Sequence, residues 1–274
     1  MKAYGVVSLA FVLVVSCAEA PRVGILGVDD MPKPARPAAH VHFDTTMDLP
    51  SDEQVVEPSQ PFVSTPGERS LAHIHTPGGV CSGVVVGPHL VATAHQCVAG
   101  ARGLSTLTGE YRIELPSSSL TWATRTPSKV MTPDCNWDLL DVAVFIVAEP
   151  MDWVQPPRVG TVPGPGAKVQ ALGFGRCEGE RRGLRDKSAN IIVLDSQAFV
   201  IDAGLCRGDV GGAVMDAEGS FLGIVSHQDD PDNSPRRTTT IFRGDTTAVR
   251  DLFAQARAIA DGADPSKFRP IACE

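Results

Sequence analysis

Acyl-transfer hydrolysis near neutral pH needs a nucleophilic hydroxyl or thiol, an imidazole to take its proton, and a carboxylate to orient that imidazole. Three segments of the 274-residue chain carry residues of this kind, in the order histidine, aspartate, glycine-rich loop. "TAHQCV" places His95 and Gln96 just before Cys97, "DVAVFIV" opens on Asp141, and "CRGDVGG" runs from Cys206 to Gly212. The third segment has the glycines and the acid of a tight loop, but Val210 stands at its centre and no hydroxyl lies within three residues of it. A valine side chain has no lone pair and no proton to lose, so no acyl-enzyme can form on it. Gln96 donates hydrogen bonds but does not shuttle protons near neutral pH.

The elements around these segments are short and β-rich. "SLAHIH", "GVVV", "HLVAT", "DVAVFIV", "KVQALGF", "NIIVL", "AFVID", "FLGIVS" and "TTTIF" recur between Gly, Pro, Asp and Asn, as strands separated by turns do. Twenty-six glycines and 22 prolines suit such a chain better than long helices. One helical stretch stands out near the end. Over residues 246–260, Val249, Leu252, Phe253, Ala256 and Ile259 share one face at helical spacing. "PMDWVQPPRVGTVPGPG" divides the strands into two groups and reads as a connector.

Five ordered motifs resemble the chymotrypsin/trypsin-like serine protease family over roughly Ser70 to Ala260. "CSGVVVGPHLVATAHQCV" is similar to its histidine segment, "DVAVFIV" to its aspartate strand and "CRGDVGGAV" to its nucleophile loop. "LGFG" and "GIVSHQ" are similar to its G-W-G and G-I-V-S-W-G segments. The resemblance implies an all-β fold of two six-stranded antiparallel β-barrels with a C-terminal helix. The domains expected are an N-terminal barrel over about 61–150, a C-terminal barrel over about 160–245, the helix over 246–260 and a tail over 266–274.

The resemblance also assigns positions, and it is there that this chain departs. The family's catalytic histidine immediately precedes the cysteine, where this chain has Gln96; His95 is one residue early, and one residue rotates a side chain by about 100° in a helical turn. A packed or solvent-facing role is the expectation for His95. Asp141 takes the orienting carboxylate's place, with Asp138 its only near rival; Gln96 and Ser226 are the expected partners of Asp141. Val210 replaces the nucleophile. Cys206, the nearest thiol, has a disulfide role in the family. The backbone N–H groups of Gly208 and Val210 correspond to the oxyanion hole, and amides survive side-chain replacement. Gly204 falls at the floor of the specificity pocket, with Ser226, His227 and Gln228 along its side; a small or apolar peptide side chain fits this set. No activation start of the I-V-G-G kind is found, so Asp209 needs a partner other than a new amino terminus.

The resemblance pairs Cys81 with Cys97 across the histidine loop, a closure that contributes on the order of 3 kcal/mol. The working pairing of the other four is Cys177–Cys206 and Cys135–Cys273, one of several that spacing leaves open. The wide spacing of these six cysteines, without a CxxC pair, argues for disulfides in an oxidising compartment rather than zinc.

The N-terminus reads as a targeting segment over 1–20, with Lys2 ahead of an apolar run too short to span a bilayer. Ala18-Glu19-Ala20 fits an ordinary secretory site but is followed by Pro21. "VVSC" resembles a bacterial lipobox, and the expectation is cleavage before Cys17, lipidation of Cys17 and anchorage at the cell envelope; plain secretion remains if the source is not bacterial. Residues 21–60 read as a proline-rich tether. A net charge of −8 excludes a backbone-tracking nucleic-acid binder. His40 with His42, and His73 with His75, form H-x-H pairs; two histidines do not make a metal site, a bland surface role is the expectation for both pairs, and neither metal nor cofactor is expected. "DDPDNSPRR" reads as an exposed loop without EF-hand spacing. The leading expectation is therefore an inactive protease-fold domain that binds a peptide or protein, with an active endopeptidase of unusual site and a structural envelope protein as rivals.

Overall fold

The computed structural model describes residues 65–273 apart from 99, 109, 118–120, 176–183, 207 and 229–237. The chain divides into two units, Met1–Gln54 and Val55–Glu274. The first, with the expected signal segment, Cys17 and the His40/His42 pair, lies outside the described residues, as does the rest of the tether. No helix among the described residues is long and apolar enough to cross a membrane.

A four-residue helix α1 (Pro66–Arg69) starts the described chain, closed by a capping box in which Thr65 and Glu68 exchange side-chain-to-backbone hydrogen bonds. Fourteen strands follow. The first eight are β1 (Leu71–Thr76), β2 (Gly79–Gly87), β3 (Leu90–Thr93), β4 (Leu104–Thr106), β5 (Arg112–Pro116), β6 (Trp122–Arg125), β7 (Pro127–Met131) and β8 (Ala143–Val147). They form one antiparallel sheet in the order β4-β7-β8-β3-β2-β1-β5-β6. The remaining six are β9 (Lys168–Gly173), β10 (Arg185–Leu194), β11 (Ala198–Ile201), β12 (Ala213–Met215), β13 (Phe221–Gln228) and β14 (Thr239–Arg243), and they close into a barrel.

The fold is thus the expected trypsin-like one, with a difference in its first half. Six strands are expected there and the sheet has eight. Only Thr126 separates β6, at one edge, from β7, second from the other edge. One extended run therefore crosses between the two ends of the sheet and curls it, and the proline that opens β7 has no N–H for the ladder, which breaks the run in two.

Both faces of the central strands are covered, which is why the run after Asp141, "VAVFIV", is apolar throughout rather than alternating. In and just before β8, Val142, Val144 and Ile146 point to one core, and Ala143, Phe145 and Val147 to another. The second of these cores fills the first sheet. A third, built on Val169, Ile191, Phe199, Ile201, Val214 and Ile241, fills the closed barrel. The core shared by Leu71, Val84, Leu172, Phe174, Ala213 and the C-terminal helix joins the two halves. The connector contributes Met151 and Val154 to the core of the first sheet and Val162 to that of the closed barrel, so it is fastened to both halves.

The helix α2 (Thr247–Ala260) begins one residue later than expected, because Thr246 is its N-cap and accepts from the Val249 N–H. Its buried residues are the five predicted from spacing. Burying each of the larger ones stabilises the fold by roughly 1.5–3 kcal/mol. The end of the chain is fixed by a Cys135–Cys273 disulfide, while Cys81–Cys97 closes the histidine loop. Cys206 is also disulfide-bonded; Cys177, its expected partner, lies outside the described residues.

Candidate functional site

The histidine loop is a single turn of 3-10 helix, His95–Val98, placed straight after β3 and pinned by the disulfide at Cys97. Asp141 lies two residues before β8 rather than at its first residue, fully buried, while its rival Asp138 is exposed. Three donors surround the Asp141 carboxylate. The Gln96 N–H reaches Oδ1 at 2.9 Å, and the Gln96 side-chain amide and the Ser226 hydroxyl reach Oδ2 at 2.6 Å each. The same amide nitrogen lies 3.3 Å from the Ser226 carbonyl, so the glutamine is held at both ends. Burial pushes the Asp141 carboxyl above its ordinary value; the hydrogen bonds from Ser226 and Gln96 pull the other way without cancelling it.

His95 turns away from this network. It is buried, its Nε2 donates to the Ala101 carbonyl at 2.9 Å, and it makes no hydrogen bond to Asp141. The bond fixes the ring proton on Nε2. The other ring nitrogen, Nδ1, is buried without a partner among the described residues. One residue of displacement along a 3-10 turn has sent the imidazole into the loop's own backbone, leaving Gln96 to face the carboxylate.

The glycine-rich loop comes from the other barrel and tucks beneath this turn. The Ser82 N–H donates to the Val210 carbonyl at 2.8 Å, and the Cys97 sulfur, which has no proton once oxidised, touches that carbonyl at 3.9 Å. Gly211 has φ +86°, and a Cβ there would collide with the Ser82 carbonyl and the Thr93 hydroxyl, so the close approach of the barrels requires glycine. Gly208, at φ +92°, packs against the Gly175 backbone. Its carbonyl accepts from the Ser82 hydroxyl at 2.6 Å, and that hydroxyl accepts from the Phe174 N–H at 2.7 Å. Asp209 is buried, and its carboxylate accepts from the Gly175 and Cys206 N–H groups at 2.6 and 2.8 Å. Two backbone amides are thus among its partners. The N–H groups of Gly208 and Val210 donate to no acceptor among the described residues.

Along the expected pocket, Gly204 is buried and its carbonyl accepts from Lys187 Nζ at 2.8 Å, an ammonium that sequence reasoning missed because it arrives from β10. Ser226 is buried; His227 is exposed, with Nδ1 3.3 Å from the Ser226 hydroxyl. Gln228 ends β13, after a bulge that follows Val225. The expectation of a bland surface pair at His73 and His75 is corrected. Both rings are partly buried and converge on Glu114, a residue of β5 that no local spacing could have linked to them.

The sequence profile described as Trypsin matches residues 62–246. Among solved structures, a Glu endopeptidase is 15% identical, superposes with a TM-score of 0.58, and is matched over 73% of this chain and 96% of its own. A scabies mite inactivated protease paralogue is also 15% identical, with a TM-score of 0.56 over 70% of this chain and 97% of its own. At such identity the likeness is one of fold. No curated protein is a significant match. With the profile spanning most of the chain and the barrels arranged as described, this protein belongs to the trypsin family.

Proposed function

We propose that this chain is a trypsin-family domain without peptidase activity that binds a peptide or protein segment in its cleft. The observation that carries the reading is the 2.6 Å hydrogen bond from the Gln96 side-chain amide to Asp141. An amide in that place keeps the carboxylate satisfied but takes no proton, so it activates no nucleophile. Val210 on the facing loop offers nothing to activate. The hydroxyls built into the site, Ser82, Thr93 and Ser226, are fully buried and each is already hydrogen-bonded.

What remains fits recognition. The N–H groups of Gly208 and Val210 are available to a carbonyl or carboxylate. Gly204 at the pocket floor offers no carboxylate to a basic side chain, and its carbonyl is already taken by the Lys187 ammonium. A small, apolar or acidic residue is the better guest. The domain acts outside the cytoplasm, as the disulfides suit, on a tether that ends in a lipidated Cys17.

A serine-directed fluorophosphonate tests the catalytic half of this reading. No covalent label is expected on the wild-type protein, and stoichiometric labelling at one residue overturns it. For the binding half, fluorescence polarisation of peptides differing at one residue is expected to rank small, apolar and acidic side chains above Arg and Lys. Metabolic labelling with a lipid analogue tests the anchor: signal lost on Cys17→Ala supports it, and signal absent from the wild type removes it.

A further inference from the structure

The H-x-H pair on β1 is only part of a larger constellation. Residues two apart on a strand point to the same face, and the register sets His73 directly opposite Glu114 and His75 opposite Arg112. The rings meet edge to face with centroids 4.5 Å apart. This arrangement brings His73 Nδ1 to 3.1 Å and His75 Nε2 to 3.0 Å from one and the same oxygen, Glu114 Oε2. All three atoms lie within 4.8 Å of one another. In a tetrahedral zinc site with bonds of about 2.0 Å, neighbouring ligand atoms are about 3.3 Å apart.

Without an ion the contacts conflict. His75 Nε2 also stands 3.2 Å from Arg112 Nη2. A neutral imidazole offers at that nitrogen either a proton to the carboxylate or a lone pair to the guanidinium, never both. A cation removes the conflict, because His73 Nδ1, His75 Nε2 and Glu114 Oε2 can all present lone pairs to it at once. The second carboxylate oxygen, Oε1, already accepts from Arg112 Nε at 3.2 Å, an outer contact that orients a ligating carboxylate. Arg112 is the most exposed member, with a side chain 47% accessible, so its terminal nitrogen has room to withdraw towards solvent. The three ligating side chains are between 17% and 28% accessible, sheltered yet open to an ion. Burial pushes the Glu114 carboxyl up, but the hydrogen bonds from His75 and His73, together with the charges of His75 and Arg112, leave the group below its ordinary value.

We infer that His73, His75 and Glu114 form a zinc-binding site, with a fourth coordination position left to water or to a ligand atom from outside the three. Two imidazoles and a carboxylate are a donor set suited to Zn²⁺. The site clamps β1 to β5. It also abuts Phe174, whose ring lies 5.4 Å from that of His73 and whose neighbour Gly175 holds Asp209 in the glycine-rich loop.

The full-length protein, stripped with chelator and passed over a desalting column, is titrated with Zn²⁺ and with Co²⁺. Expected are a single zinc ion retained at this site and a visible cobalt spectrum of tetrahedral intensity. At a hundredfold excess over the dissociation constant, thermal unfolding should rise by roughly 5–10 °C. Glu114→Gln and His75→Gln are each expected to weaken zinc binding by about a hundredfold or more, since even outer-shell changes cost about 10–100-fold. Two variants guard against misfolding of one, and the unfolding temperature of each in chelator shows whether it is folded. A wild type that retains no zinc overturns the site. So does zinc bound with unchanged affinity by both folded variants, which would place the ion elsewhere in the chain, for example at His40 and His42.

Discussion

Two carboxylates on the first sheet and its loops, Asp141 and Glu114, have been treated in opposite ways. Asp141 is fully buried and surrounded by neutral donors, with each contact an unambiguous N–H or O–H pointing at an oxygen. Glu114 is partly open and faced by two imidazoles and a guanidinium, and the His75 nitrogen that meets it also faces the guanidinium, which it cannot serve at the same time as the carboxylate. The first is a position from which catalysis is expected by family, yet it is chemically quiet. The second carries no family expectation, yet its groups converge as ligands do. A fully satisfied network rigidifies, whereas competing contacts at one nitrogen leave one of them unmet. Chemistry follows the local geometry of donors and acceptors, not the reputation of the fold.

The strongest way to break the contrast is to return chemistry to the quiet site. Gln96→His with Val210→Ser restores an imidazole next to Asp141 and a hydroxyl on the loop. Hydrolysis of an activated ester of a small-residue peptide is expected to exceed the uncatalysed rate by about 10³-fold or more. Either substitution alone should give far less, because the two groups act as a unit. A double variant that stays silent in a chromogenic assay would shift the defect from the side chains to the loop's geometry.

Next in size is the structural weight of the two acids. Asp141→Ala leaves the Gln96 amides and the Ser226 hydroxyl buried without an acceptor, and should cost about 3 kcal/mol or more in urea unfolding. Glu114→Ala, in chelator, should cost less than about 1 kcal/mol, as partly exposed ion pairs usually do. Equal losses would dissolve the distinction. Ser226→Ala removes one of the three donors to Asp141 and should fall between them, at about 1–2 kcal/mol by the same measurement.

The smallest effect is in pH dependence. The carboxyl of Asp141 is raised above its ordinary 3.8, so the folded state holds that proton more tightly than the unfolded one. The associated stability is fully present below the unfolded value and is lost as pH rises through the folded one. The gap in unfolding free energy between wild type and Asp141→Asn should therefore be wider at acidic pH than at pH 7. A gap that narrows on acidification would show that the hydrogen bonds, not burial, control this group.

The apolar run after Asp141, the helical stripe ending at Ile259 and Cys206 at the head of the glycine-rich loop were all readable along the chain. Each rests on local periodicity or on a motif whose parts are adjacent. The contacts of Asp141 with Gln96 and Ser226 were also within reach, because the family frame brings three distant segments to one point. The curling of the first sheet through Pro127 was not. Neither was the ammonium of Lys187 at Gly204, which depends on how β10 lies against the loop after β11.

By itself the sequence determined which groups are available: a valine without a nucleophilic atom at 210, a glutamine at 96, an acid at 141, and short β-branched strands that make the body all-β. Tertiary structure alone decided what those groups face. It turned His95 into its own loop, supplied Asp209 with two amide donors, and set Glu114 across the ladder from His73. The physical reason is range. Periodicity, turn chemistry and side-chain reactivity are encoded within a few residues, whereas register between β1 and β5 joins positions about forty residues apart and is fixed only when the buried face of the sheet is packed.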